Sequence, residues 1–193
     1  MAGLRYLLVK ATAEHLPLAG ETTGLVLMTP PYFGTRRVPR RECNTTDLAA
    51  YTTLLGRALD EAARIAKPGG YILFHSNLRS ERSAGNIPVV RFDVFRRIGR
   101  GADCTIEAAG HREVRVHLEQ VEGVKWQGLP VRTYEMLLRR YSRPGEIVTH
   151  VFSGTGNSAL AALTLRRIPV LVDLHHHRIV RRRIHRHVRQ LRA

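Results

Sequence analysis

The chain is short of cysteine, of acidic residues and of long apolar runs, and each shortage excludes something. Cys43 and Cys104 stand far apart with no CxxC spacing, which leaves no basis for a disulfide framework or a cysteine zinc site and fits a reducing compartment. No apolar run approaches the roughly 18 residues that a membrane helix needs. The opening MAGLRYLLVKATAEH also lacks the apolar core and cleavage site of a signal peptide. A soluble, cytoplasmic protein with no membrane partner is expected. Acids are scarce in proportion: 16 Asp and Glu face 31 Lys and Arg, a net charge of +15. That imbalance points to a polyanionic partner, with nucleic acid ahead of an acidic membrane.

What is present suits one domain of 193 residues, without repeats or low-complexity linkers. Leu4 to Val9 reads as a short strand, closed by a turn at Leu16-Pro17-Leu18. Leu25-Val26-Leu27-Met28 is a buried strand. Thr46 or Asp47 caps a helix running to about Lys67, with Leu48, Tyr51, Leu55, Leu59 and Ala62 on its apolar face. Pro68-Gly69-Gly70 stops it before a second strand, Tyr71 to Phe74. Strand, helix and strand in this order predict a right-handed crossover and a mostly parallel sheet. Cys104 to Glu107 and Val114 to Leu118 read as a hairpin across Ala109-Gly110. Further on, a helix over Val131 to Tyr141, a strand over Ile147 to Phe152, a helix over Asn157 to Arg167 and a strand over Val170 to Asp173 are expected. A last basic helix from His175 carries seven Arg, five His and no acid.

Two stretches carry chemistry. The first is Thr29-Pro30-Pro31-Tyr32, directly after the apolar strand. Two prolines fix φ and donate no hydrogen bond, so the Thr29 and Pro30 carbonyls are held rigid beside an aromatic ring. A rigid acceptor next to a stacking surface suits an amino group on a flat base. The second is Phe152-Ser153-Gly154-Thr155-Gly156-Asn157, between a strand and an Ala/Leu-rich helix, with Asp173 ending the next strand. Glycines there permit a tight turn and close backbone approach, and a strand-end carboxylate can accept both hydroxyls of a ribose.

Pro-Pro-Tyr early in the chain, with Pro-Gly-Glu-Ile-Val-Thr-His-Val-Phe-Ser-Gly-Thr-Gly-Asn-Ser late in it, resembles the permuted, β-group amino-methyltransferases of DNA. Leu-Pro-Leu at 16–18, Lys-Pro-Gly-Gly at 67–70 and Trp126-Gln127-Gly128-Leu129-Pro130 extend the likeness over most of the chain. The resemblance implies a Rossmann-like α/β fold with helices on both faces of the sheet and a circularly permuted motif order. It implies methyl transfer from S-adenosylmethionine to cytosine N4 or adenine N6 of a flipped base in double-stranded DNA. By position, Thr29, Pro30 and Pro31 would orient the target amino group and Tyr32 would stack on the base. Phe152, Ser153, Gly154 and Gly156 would line the cofactor, and Asp173 would hold its ribose. A catalytically inactive DNA-binding relative, or an enzyme acting on RNA or a protein amide, stays open beside this. Thiolate chemistry at cytosine C5 does not fit, because no Pro-Cys occurs.

The chain departs from that family's pattern at several acids. Thr29 stands where Asp, Asn or Ser is usual, Gly24 where an Asp precedes the strand, and His150-Val151 where Asp-Pro is typical. Arg36, Arg37, Arg40 and Arg41 follow the Pro-Pro-Tyr corner as candidate DNA phosphate contacts. A short basic insertion at about 77–103 is the stretch left for target recognition, alone or with a homodimer partner or second subunit. The His175-His176-His177 triplet is not a metal site, because consecutive helical residues point about 100° apart. It reads instead as a polar helix start.

Overall fold

In the computed structural model of the protein, the residues described are 5–31, 47–75, 89–116, 119–120 and 127–192. Strands β1 (Leu7–Val9) and β2 (Thr23–Met28) precede helix α1 (Leu48–Ile65). Strands β3 (Ala66–His75), β4 (Val89–Ile98) and β5 (Thr105–Arg115) follow, then a two-stranded ribbon of β6 (Glu119–Gln120) and β7 (Gln127–Gly128). Helix α2 (Val131–Tyr141), β8 (Ile147–Val151), α3 (Asn157–Thr164), β9 (Ile168–Val172) and α4 (His177–Arg192) complete the order. The main sheet has seven strands in the order β1-β9-β8-β2-β3-β4-β5. Its first five strands are parallel; β4 runs antiparallel to both β3 and β5.

The sequence shows why β2 lies at the centre. All six of its residues are buried, as a strand covered on both faces by helices requires. Leu25 and Leu27 face a core shared with Tyr134 and Leu137 of α2 and Ala161 and Ala162 of α3. Val26 and Met28 face the opposite core with Ala58 and Ala62 of α1. Helix α4 adds Val180 and Ile184 against Leu163 and Leu171, beside α3. Each layer thus follows from the period-2 alternation of the strands meeting the helical spacing of apolar residues.

Helix α1 starts where its cap predicts. The Asp47 carboxylate accepts from Ala49 N at 2.9 Å and Ala50 N at 3.4 Å. It ends at Ile65, short of the expected Lys67, because Ala66 already pairs with Thr23 and opens β3. Lys67-Pro68-Gly69-Gly70 therefore lies within the strand rather than between helix and strand. Leu16-Pro17-Leu18 is clamped to α1 by an ion pair: Glu61 accepts from Leu16 N, and Arg64 donates to the carbonyls of Leu16 and Leu18.

The expected hairpin at Ala109-Gly110 is not formed. β5 runs unbroken from Thr105 to Arg115 along β4. Asp93 pairs with His111 but Phe95 with Ala108, so β5 accommodates an extra residue where Gly110 has φ 108°. The glycine that reads as a turn is a β-bulge. Of the expected insertion, residues 89–103 are described: Val89–Ile98 belongs to the main sheet as β4, with Val90, Phe92 and Val94 buried, and a short 3-10 turn at Gly101–Asp103 follows. Among the described residues, no helix is long and apolar enough to cross a membrane.

Candidate functional site

The sheet order has a point at which its crossovers diverge. From β8 the chain passes through α3 to β9 on one side; from β2 it passes through α1 to β3 on the other. Adjacent strands whose crossovers diverge form a topological switch point, where open α/β sheets bind ligands at the carboxyl ends of the strands. Met28 pairs with Val151 at that end. The two chemistry-bearing stretches, far apart in sequence, therefore leave the sheet side by side.

Backbone bonds stagger the three strand ends. Thr29 N donates to Val151 O, Ser153 N to Val172 O, and Asp173 N to Val9 O. The Thr29 hydroxyl, half-buried, lies 2.9 Å from His150 Nε2 and 3.1 Å from the Phe152 carbonyl. Pro30 is buried, and the Pro31 carbonyl accepts from Tyr51 Oη of α1 at 2.8 Å. Tyr51 was expected only as an apolar helix residue; its ring is buried, and its hydroxyl anchors the Pro-Pro corner. Tyr32, Arg36, Arg37, Arg40 and Arg41 lie outside the described residues.

The loop after β8 alternates through left-handed backbone: Phe152 at φ 62°, Gly154 at 51° and Gly156 at 79°. The two glycines have different surroundings. A Cβ on Gly156 would stand 2.9 Å from Val180 Cγ1, so this glycine admits α4. A Cβ on Gly154 would meet nothing within 4 Å, so this glycine borders open space. Ser153 Oγ is buried and has no hydrogen-bond partner among the described residues. Asn157 Nδ2 donates to Leu129 O at 2.7 Å, tying the start of α3 to the segment before α2.

Asp173 holds this loop from the neighbouring strand. Its Oδ2 accepts from Gly154 N at 2.8 Å. Its Oδ1 accepts from His175 N, His176 N and His176 Nδ1 at 2.8–3.1 Å. Burial alone pushes this carboxyl up, but the bonds from the His176 ring and the His175 and His176 amides outweigh it and hold it at about 2. The acid is therefore ionised throughout the physiological range. The histidine triplet closes back onto Asp173, with His177 Nε2 2.6 Å from its carbonyl oxygen. No group of three or more metal-ligating side chains is found among the described residues.

His150 is the residue whose role sequence reasoning missed. It lies on the same face of β8 as Val148, fully buried, 5.4 Å from the Tyr134 ring. Its Nδ1 is 2.6 Å from Ser158 Oγ. Burial pushes its pKa down to about 3, against the raising effect of the nearby Asp173 charge, so the ring is neutral. The available signal was a single titratable residue inside Ile147-Val148-Thr149-His150-Val151, an otherwise uncharged strand.

The sequence matches no family model and no curated protein. Solved structures do resemble the chain. A candidate DNA modification methylase from Thermus thermophilus, complexed with S-adenosyl-L-methionine, has a TM-score of 0.61 at 18% identity over 95% of this chain and 96% of its own. The M1.HpyAVI–SAM complex has a TM-score of 0.53 at 13% identity, over 93% and 98%. The PvuII cytosine-N4-specific DNA methyltransferase has a TM-score of 0.50 at 10% identity, over 88% and 82%. The fold is a Rossmann-like methyltransferase fold. Within that fold, the Thr29 corner and the Gly154 loop follow the adjacent strands β2 and β8.

Proposed function

We propose that this protein is an S-adenosylmethionine-dependent methyltransferase acting on an exocyclic amino group, cytosine N4 or adenine N6, of a base flipped out of double-stranded DNA. One juxtaposition carries the reading: the rigid Thr29-Pro30-Pro31 corner and the open Gly154 loop leave adjacent strands at the switch point. The residues suit the cofactor. Open space lies beside Gly154, the Ser153 hydroxyl has no partner among the described residues, and the Asp173 carboxylate is ionised. Phe152, Ser153, Gly154, Gly156 and Asp173 would hold the cofactor, which supplies an electrophilic methyl on a sulfonium. Gly156 contributes indirectly, by letting α4 close beneath the loop.

The chain's own part is positioning and electrostatics, with no covalent nucleophile. Acceptors at Thr29 and the corner carbonyls take the hydrogens of the target amino group and so orient its lone pair toward the methyl. Tyr32 stacks on the base. Arg36, Arg37, Arg40 and Arg41 contact phosphates near the flipped nucleotide. The short basic insertion at about 77–103, which includes β4, is the stretch for target recognition. The likeness of the fold to that of the PvuII enzyme supports DNA as substrate, as does the charge of +15.

The deciding experiment is nucleoside mass spectrometry on DNA from cells expressing the chain, beside a Pro31→Ala control. N4-methylcytosine or N6-methyladenine found only with the intact protein is the expected result. Absence of both marks, with S-adenosylmethionine still bound in a titration, would overturn the catalytic reading. Tyr32→Ala tests the stacking role separately: most methylation is lost while cofactor affinity stays within about threefold.

A further inference from the structure

Three hydrogen bonds meet around His150, and their directions are not independent. The Phe152 carbonyl can only accept, so the Thr29 hydroxyl donates to it. With its single proton committed, Thr29 Oγ1 can only accept from His150 Nε2. The Nε2 atom therefore carries the ring proton. A neutral imidazole protonated at Nε2 has a bare Nδ1, which accepts from the Ser158 hydroxyl. One proton arrangement makes all three bonds at once: Ser158 to His150, His150 to Thr29, Thr29 to the Phe152 carbonyl.

The chemical consequence falls on Thr29. A hydroxyl free to rotate is both donor and acceptor, and toward an amino nitrogen these roles oppose each other. An acceptor takes an N–H hydrogen and leaves the nitrogen lone pair free to attack. A donor engages that lone pair and suppresses attack. Here the proton is turned to the Phe152 carbonyl and one lone pair is occupied by the imidazole, so what Thr29 can still offer is an acceptor.

We propose that His150 is a positioning residue that, oriented by Ser158, locks the Thr29 hydroxyl as an acceptor-only contact for the target amino group. The inference rests on the methyltransferase reading above. The arrangement also keeps charge away from Thr29 itself: a neutral donor stands behind the hydroxyl, where a carboxylate would take the Thr29 proton and a cation would repel the sulfonium. Tyr134 of α2 and Ser158 of α3 fix the ring from both flanking helices.

The test has two arms. Nitrogen-15 NMR of the histidine rings in the wild-type protein reads the tautomer directly, independent of activity; the His150 signal, assigned by its loss in His150→Gln, is expected as neutral with the proton on Nε2. Steady-state kinetics on DNA amplified in vitro, and hence unmethylated, then compare His150→Gln with His150→Leu. Gln keeps a donor at the Nε2 position and is expected to hold kcat within about threefold, whereas Leu lowers kcat about tenfold or more with KM for S-adenosylmethionine little changed. Active wild type with a proton on Nδ1, or Gln and Leu equally impaired, overturns the positioning role alone. A wild type that methylates neither base overturns the methyltransferase reading and the positioning role with it, whatever the ring shows.

Discussion

Asp173 is the residue whose importance was easiest to read from the sequence and whose work is hardest to guess from it. A strand-end acid after a Gly-x-Gly loop signals a nucleoside site, yet in the fold that carboxylate accepts from four protein donors, among them Gly154 N and the His176 ring. In the fold it organises the loop. Asp173→Asn turns one acceptor into a donor against those N–H groups, and is expected to cost about 1–3 kcal/mol of stability and to weaken S-adenosylmethionine binding. Urea unfolding and calorimetric titration check the two effects; unchanged affinity would show that the acid serves the loop only. His150 sets a pH dependence of known sign. Its folded pKa of about 3 lies below the ordinary 6.5 because the ring is buried. Below pH 6.5 the unfolded chain takes up a proton that the folded ring refuses, so stability is complete above 6.5 and declines as the pH falls toward 3. The slope from this ring is about 1.4 kcal/mol per pH unit within that window. His150→Gln should flatten the wild-type slope between about pH 6 and 4 by up to that amount in urea midpoints, and parallel curves would remove His150 as the cause.

At the level of elements, local signals held where one residue decides an end and failed where a distant partner does. The Asp47 cap placed the start of α1 correctly. The end of α1 depended on Thr23 claiming Ala66 as a strand partner, and the Ala109-Gly110 turn became a bulge because β4 offered a full-length neighbour. Both outcomes reflect tertiary pairing overriding local turn chemistry. The Gly154 and Gly156 pair shows the same limit. The motif was legible, but its division of labour was not, because Val180 sits on another element. Gly156→Ala combines a φ of 79° with a 2.9 Å contact to Val180 and should destabilise by about 2–4 kcal/mol. Gly154→Ala has room and should cost only about 1–2 kcal/mol from its φ of 51°, while reducing cofactor affinity more than Gly156→Ala does. Equal losses of stability in thermal melts would refute the distinction.

For the whole molecule, the parallel part of the sheet through β3 was legible from strand, helix and strand alternation, and the antiparallel β4 and full-length β5 beyond it were not. These strands carry charges on alternate positions, such as Arg91 and Asp93, and hide their apolar face from a simple run-length reading. The excess of positive charge was plain from composition, but its placement was not. Helix α4 buries Val180 and Ile184 and exposes Arg178, Arg181 and Arg189. A protein that neutralises DNA phosphates loses affinity with salt at a slope of about 0.9 per phosphate. Replacing these three arginines with Gln should lower the slope of log K against log salt by about 1–3 in fluorescence anisotropy with duplex DNA. An unchanged slope would mean that α4 faces away from the duplex.

The central position of β2 also governs how the chain is made. One edge of β2 pairs with β3, which follows soon after; the other waits for β8. From Met28 to Ile147 the ribosome adds roughly 120 residues, about 6–25 s of synthesis at typical rates. Throughout that interval Leu25-Val26-Leu27-Met28 presents an unpaired apolar edge, and the Thr29 corner has no neighbour from the β8 loop. Nascent-chain aggregation and chaperone capture should therefore concentrate in this window and subside once residues 147–172 emerge and close the sheet.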